Sequence, residues 1–250
     1  MSMVLRSWVA TDTGPRRSHN EDALVDRPDL GVWAVADGAG GHDAGEVASG
    51  MIAAALGAIP PGLDAAEALN EIRTRVCAVH RALLAEAAAH GPEVIIASTV
   101  VILCVRTTHY ACLWAGDSRA YLFSEGTLAQ ITRDHSLVQE LVDAGQISPH
   151  DADHHPHANI VTRALGAGDE GEFVLDKVTG QLRPGDRILL CSDGLTKTVP
   201  AGVIAAVLGE AAEDPAQRLV AAALERQASD NVTAVVIEAS DSVADTAGAG

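Results

Sequence analysis

The chain has 250 residues, 48% of them hydrophobic and 20% charged, which suits one large folded domain or two small ones, with a sizeable core. Its formal net charge of −17 opposes nucleic acid and anionic membrane surfaces as partners. MSMVLRSWVA lacks the apolar stretch of a leader, and no run of apolar residues is long enough to span a bilayer. A cytoplasmic protein without membrane insertion is expected. Aromatic residues are only 3%, so the core must come from Ala, Val, Leu and Ile.

In chain order, Val32 to Ala36 reads as a short apolar strand. Gly45 to Ile59 then has helical spacing, with Val47, Met51, Ala55 and Ile59 on one face and Ala48, Ile52 and Leu56 beside them. Asp64 and Glu67 form the D-x-x-E start of a second helix, whose stripe is Leu69, Ile72, Val76, Val79 and Leu83. STVVILCV, from Ser98, is a β-branched run fit for a strand buried on both faces; TTH turns it into YACLWAGD. RAYLF, the turn SEG and TLAQIT predict another hairpin, and Ser136 to Ala144 a helix stopped by Gly145. Residues 148–158, SPHDADHHPHA, read as a polar surface flap. RILLCSDGL is strand then Asp-Gly. Asp214-Pro215 opens a helix to about Gln227, and VTAVVIEA is a last strand. Hairpin-clustered strands with helices between the clusters predict an α+β layered sandwich. Residues 1–239 form the single domain in this reading and 240–250 a disordered tail.

The four cysteines, Cys77, Cys104, Cys112 and Cys191, have no C-x-x-C spacing and read as buried thiols in a reducing compartment. A Cys104–Cys112 bridge across a hairpin is the lesser alternative.

Acids punctuate the strand ends: Asp22 in SHNEDAL, Asp37 in VADGAGG, Asp117 in WAGDSRA, Asp193 in LLCSDGL and Asp230 in ASDNVTA. A single Asp-Gly is most often a turn. Several carboxylates meeting at one end of a sandwich would repel and raise one another's pKa values unless divalent cations sat among them. Oxygen-only donors suit Mg²⁺ or Mn²⁺. Gly38 would let its own carbonyl approach an ion, and Gly40 and Gly41 would allow turn conformations closed to other residues.

The ordered set R-x-x-N-E-D (Arg17 to Asp22), V-A-D-G-x-G-G-H (Val35 to His42), A-G-D-S-R (Ala115 to Arg119), C-S-D-G-L (Cys191 to Leu195) and S-D-N (Ser229 to Asn231) resembles the PPM/PP2C family of metal-dependent protein serine/threonine phosphatases, compact bacterial type. TRDHSLVQELVDAG and NIVTRALG resemble that family's flap region. The resemblance spans residues 6 to 238. It implies a PP2C-like four-layer sandwich, two packed antiparallel sheets flanked by helices, with a flap near two Mn²⁺ or Mg²⁺ ions. By resemblance Asp37 bridges both ions, Gly38 gives its carbonyl to one, and Asp193 and Asp230 hold the other. Glu21 and Asp22 act through bound water. Asp117, shared with Asp193, would hold a weaker third ion, and Arg17 would grip the substrate phosphate. The implied chemistry is direct attack by a hydroxide bridging two ions roughly 3.5–4 Å apart. His42 is the candidate proton donor to the leaving alkoxide; its alternative is to orient the glycine turn or a bound water. Ala39 stands where bacterial relatives often carry methionine, which is expected to alter packing rather than activity.

Other phosphatase chemistries lack their residues. No cysteine is followed six positions later by arginine, the single D-x-D (Asp151 to Asp153) follows no strand, and neither Lys177 nor Lys197 is preceded by Gly. His150, His154, His155 and His157 could hold zinc or nickel, but without a second cluster a polar flap is the better reading. The implied partners are phosphorylated proteins: a bacterial Ser/Thr kinase and its targets, including kinases that govern type VI secretion. The alternatives are an anti-sigma-factor antagonist as substrate, or a non-catalytic phosphoprotein-binding pseudophosphatase. A monomer is expected.

Overall fold

The computed structural model describes residues 3–40, 44–91, 93–152, 154–169, 171, 173–211 and 213–241. One sheet has the order β1 (Met3–Asp12), β11 (Val232–Asp241), β10 (Arg187–Cys191), β7 (Arg119–Ser124), β8 (Thr127–Gln130). The other runs β2 (Asp22–Arg27), β3 (Val32–Gly40), β5 (Val100–Arg106), β6 (His109–Ala115), β9 (Asp176–Gln181), with β4 (Ile96–Ser98) pairing the end of β3. Every registered pair is antiparallel.

Strand alternation explains the layering. In β3, Val32, Ala34 and Ala36 face helices α1 (Ala44–Gly57) and α2 (Ala65–His90), while Trp33 and Val35 face the opposite sheet. The middle layer between the sheets joins Trp33, Val101, Leu103, Cys112, Ile188 and Val235. On the far side, α6 (Ala201–Gly209) and α7 (Pro215–Glu225) cover β10 and β11 through Ile204, Leu219, Val220, Leu189 and Val236. Helix, sheet, sheet and helix make the expected four layers. Among the described residues there are three further short α-helices, α3 (Leu137–Asp143), α4 (Pro149–Ala152) and α5 (Asp193–Thr196).

The capping box at α2 is formed, Asp64 accepting from the Glu67 amide and Glu67 from the Asp64 amide, both at 2.9 Å. Ser136 caps α3, and Asp214 caps α7 ahead of Pro215. In α1 the buried stripe is Ala48, Ile52 and Leu56, whereas Val47, expected on the apolar face, is 46% exposed. Thr99 interrupts the single strand expected from Ser98, so that β4 pairs β3 while β5 continues the main sheet. β1, β9 and α6 lie outside the elements that the sequence pattern predicts. The first two are edge strands, half-exposed along their length, and AGVIAAVLG carries two glycines. β11 runs to Asp241, two residues into the expected tail, whose remaining residues lie outside those described. All four thiols are free. Cys104 pairs with Ala111 and Cys112 with Leu103, so the two sulfurs face opposite sides of their sheet and cannot bridge.

Candidate active site

Asp22 and Asp37 sit opposite each other in the β2–β3 register, so the pleat puts both carboxylates on one side. Asp37 does not end its strand as expected; β3 continues through Gly40. Its backbone is held from both sides. The Asp37 carbonyl accepts from Ser98 Oγ at 3.0 Å and from the Thr99 amide at 2.9 Å, while its amide donates to Thr99 Oγ1 at 3.3 Å. Thr99 Oγ1 in turn meets Ser118 Oγ at 2.8 Å, tying Asp37 to the turn that carries Asp117.

The other sheet delivers Asp193 and Asp230. Asp193 opens α5 directly after β10, and Asp230 precedes β11. Ser192 Oγ donates to Asp22 Oδ2 at 2.7 Å and accepts from the Thr233 amide at 3.0 Å, stitching the two sheets together at the site. Asn231 does the same for the loop of Arg17: its Oδ1 accepts from the Glu21 amide at 2.8 Å, and its Nδ2 donates to the carbonyls of Thr13 and His19. His135 fixes the Asp117 turn, accepting on Nδ1 from the Gly116 amide at 3.1 Å while its own amide donates to the Gly116 carbonyl at 2.9 Å.

Glycine serves close packing here more than turn geometry. A Cβ on Gly38 would lie 2.0 Å from the Gly45 carbonyl oxygen, and one on Gly40 would lie 2.7 Å from the Ala44 side chain. Neither has a positive φ, so the turn role expected of Gly40 is not the one it plays. Gly41 and His42 lie outside the described residues. Ala39 is exposed and pairs with Ala97, away from the buried packing.

Electrostatically the carboxylates act as one group. Burial and the charges of Asp193 and Asp230 push Asp22 up to about 7, against hydrogen bonds from Ser192 and Thr233 that pull it down. Burial, then Asp22, Asp193, Asp117 and Asp230, hold Asp37 well above the usual carboxylate range. Asp117, 6% exposed, is pushed up to about 7 by burial and by Asp193, with Lys197 opposing. Two cations flank the group: Arg17 Nη2 contacts Asp230 Oδ2 at 2.7 Å, and the Lys197 ammonium is paired with Asp193.

The donors are oxygens only, mutually repelling, and Asp22 Oδ1 is buried with no hydrogen-bond partner. A buried orphan carboxylate oxygen is costly unless a cation takes it up, so the group fits a hard divalent ion. Among the described residues no three His, Cys, Asp or Glu side chains are closed into a ready cage. Sites that keep several waters and a backbone carbonyl on each ion do not require one.

Ala152, Ala158 and Asn159 of the expected flap line a cavity of about 490 Å³ together with Asp117 and Asp193. A backbone bond from Leu137 to Ile160 and a bridge between Ser136 and Val161 close the base of that segment. Its histidines fall into two pairs, His150 with His154 and His155 with His157, and make no metal cluster among the described residues.

The arrangement thus gathers Glu21, Asp22, Asp37, Asp117, Asp193, Asp230 and Arg17 at one end of the sandwich. Ser192, Thr233, Asn231, Thr99, Ser118, His135 and Lys197 also serve the site, and none of them is singled out by the motifs as functional. Ser192 and Asn231 were readable as neighbours of the acids; Lys197 stands one helical turn beyond Asp193. Thr99 and His135 carry no local signal.

The sequence profile described as "Protein phosphatase 2C" matches residues 15–235. The chain is 37% identical over 243 residues to the "Serine/threonine protein phosphatase PstP" of Mycobacterium tuberculosis, an alignment covering 96% of this chain and 46% of that protein. It thus spans about half the length of this relative. Among solved structures it is similar to "PppA, a key regulatory component of T6SS in Pseudomonas aeruginosa", at 40% identity and TM-score 0.85, covering 95% of this chain and 99% of that one. It also resembles the catalytic domain of PstP in complex with two manganese ions, at 35% identity and TM-score 0.81, covering 96% and 100%.

Proposed function

The chain belongs to the protein phosphatase 2C family, and from that premise we propose that it hydrolyses phosphoserine and phosphothreonine esters in proteins, using two Mn²⁺ or Mg²⁺ ions. Asp37 would bridge the pair, the Gly38 carbonyl would serve one ion, Asp193 and Asp230 the other, and Glu21 and Asp22 would act through water. Bound there, the ions would supply Lewis acidity, lowering the pKa of water and offsetting charge on the phosphoryl oxygens.

The chain's own groups do the rest. Arg17 is half exposed at the rim beside Asp230, so its planar fork can turn outward to phosphate oxygens without leaving the site. Thr99 and Ser118 hold the Asp37 and Asp117 backbones in fixed relation, which keeps the carboxylates preorganised. His42 is the proposed proton donor to the departing serine or threonine oxygen.

The observation that carries this reading is Asp22 facing Asp37 with its Oδ1 buried and unpartnered, a conflict that divalent cations resolve. The proposed substrates are phosphoproteins, among them a Ser/Thr kinase and its targets. Similarity to PppA supports a setting in type VI secretion control. The proposed setting is the cytoplasm and the proposed state a monomer, and the net charge of −17 opposes anionic membrane surfaces as partners.

Metal-stripped protein tested on a phosphothreonine peptide, with and without Mn²⁺ and beside Asp193→Ala, decides the matter. Turnover should appear only with Mn²⁺ and collapse in the variant. Mn²⁺ binding without turnover would leave a non-catalytic phosphoprotein binder in its place.

A further inference from the structure

We propose that the Lys197 ammonium stands in for a third cation between Asp117 and Asp193, so that this chain holds two divalent ions and no third. The inference rests on the two-ion reading above and concerns the flank of the site nearest the flap.

Asp193 is the first residue of α5 and Lys197 follows its last, an i,i+4 relation that puts both side chains on one helix face. The ammonium is ion-paired with Asp193 Oδ2. Asp117, Asp193 and Lys197 line the same cavity of about 490 Å³. Asp117 is buried there, and the neighbouring Arg119 does not serve it. That guanidinium is committed to Asp134 through Nε at 3.0 Å and Nη2 at 2.7 Å, and to Tyr121 through Nη1 at 3.2 Å. Lys197 is therefore the cation that offsets both carboxylates.

Competition favours the lysine over a weak third ion. A third ion would draw on only two protein carboxylates, and Asp193 is already engaged with the main pair. The ammonium is tethered one helical turn away, so its effective concentration is high and its arrival costs no translational freedom. A divalent ion in the same place would also have to tolerate that ammonium at contact distance, or expel it into the solvent.

The test counts manganese. Metal-stripped wild type, Lys197→Gln, Lys197→Arg and the double variant Lys197→Gln/Asp117→Asn are dialysed against one fixed concentration of free Mn²⁺, and bound metal per chain is measured by elemental analysis. Wild type and Lys197→Arg should each hold two ions. Lys197→Gln should hold three, and the double variant should fall back to two. Three ions in wild type, two in Lys197→Gln, or a third that survives in the double variant would each overturn the inference. No ions in any variant would sink the metal-dependent reading and this inference with it, an outcome distinct from the others. Lys197 is exposed at the end of a short helix, so its replacement leaves the core intact.

Discussion

Asp22 and Asp37 face each other across the β2–β3 ladder, a like-charged pair that strand pairing ordinarily disfavours. In the metal-free protein Asp22 takes up its proton near pH 7, against an ordinary 3.8. Between those values the folded state binds more protons than the unfolded one. Stability therefore falls as pH rises through that window, and the full penalty is present above about pH 7. Asp22→Asn should stabilise the metal-free protein by roughly 2–3 kcal/mol more at pH 8 than at pH 5. Urea unfolding at the two pH values reads this directly. An equal effect at both would mean that Asp22 does not titrate in that range.

Saturating Mn²⁺ should reverse the sign of that substitution. If the Asp22 oxygen left without a partner is what the cations and their waters satisfy, Asp22→Asn weakens their hold, and the loaded variant should melt below the loaded wild type. Thermal unfolding at pH 8 with and without Mn²⁺ makes the comparison. A variant that gains as much from Mn²⁺ as wild type does would remove Asp22 from the metal site.

Ser192 joins two sheets through one hydroxyl, donating to Asp22 and accepting from Thr233. Ser192→Ala leaves the buried Thr233 amide without its acceptor and Asp22 without its donor. The expected cost is about 1–3 kcal/mol in urea unfolding. A loss near zero would mean that water replaces the hydroxyl at both ends.

The four-layer architecture was legible because alternation and helical spacing are strong where burial is strong. Val32 to Ala36, the α2 stripe from Ile72 to Leu83, and β10 each bury what their pattern announces. The elements that escaped are those whose pattern is diluted. β1 and β9 lie at sheet edges with half-exposed side chains, and α6 is built from small residues. The acids of the site could be found because each stands next to an apolar strand. What aims them could not, because Thr99 meets Ser118 and Asn231 meets Thr13 and Glu21 only after the sheets have packed. Contacts across 19 residues, as for Thr99 and Ser118, or across 210 and 218, as for Asn231, leave no trace in local spacing.

Asn231 makes three bonds to the loop that bears Arg17: one to the Glu21 amide and one each to the Thr13 and His19 carbonyls. Asn231→Ala should cost about 1–3 kcal/mol of stability and release that loop. Because Arg17 is the proposed phosphate grip, KM for a phosphopeptide should rise more than kcat falls. Limited proteolysis should then cut within residues 13–20 faster than in wild type. A pure kcat loss with an unchanged cleavage rate would assign Asn231 to the carboxylates instead.

Gly50 and Gly38 should respond in opposite ways to alanine. Gly50 lies exposed within α1, has no positive φ, and a Cβ there would meet nothing within 4 Å. Gly50→Ala should stabilise by roughly 0.5–1 kcal/mol, since alanine loses less backbone entropy in a helix. At Gly38 the added Cβ would sit 2.0 Å from the Gly45 carbonyl and 2.7 Å from that of Glu21. Both contacts are backbone, so neither can rotate away, and α1 must shift off β3. That shift moves the Gly38 carbonyl and the Asp37 carboxylate together, so Gly38→Ala should lose metal binding along with stability. Calorimetric Mn²⁺ titration of the two variants separates the cases. Intact Mn²⁺ binding in a stably folded Gly38→Ala would show that the α1–β3 contact does not set the position of the site.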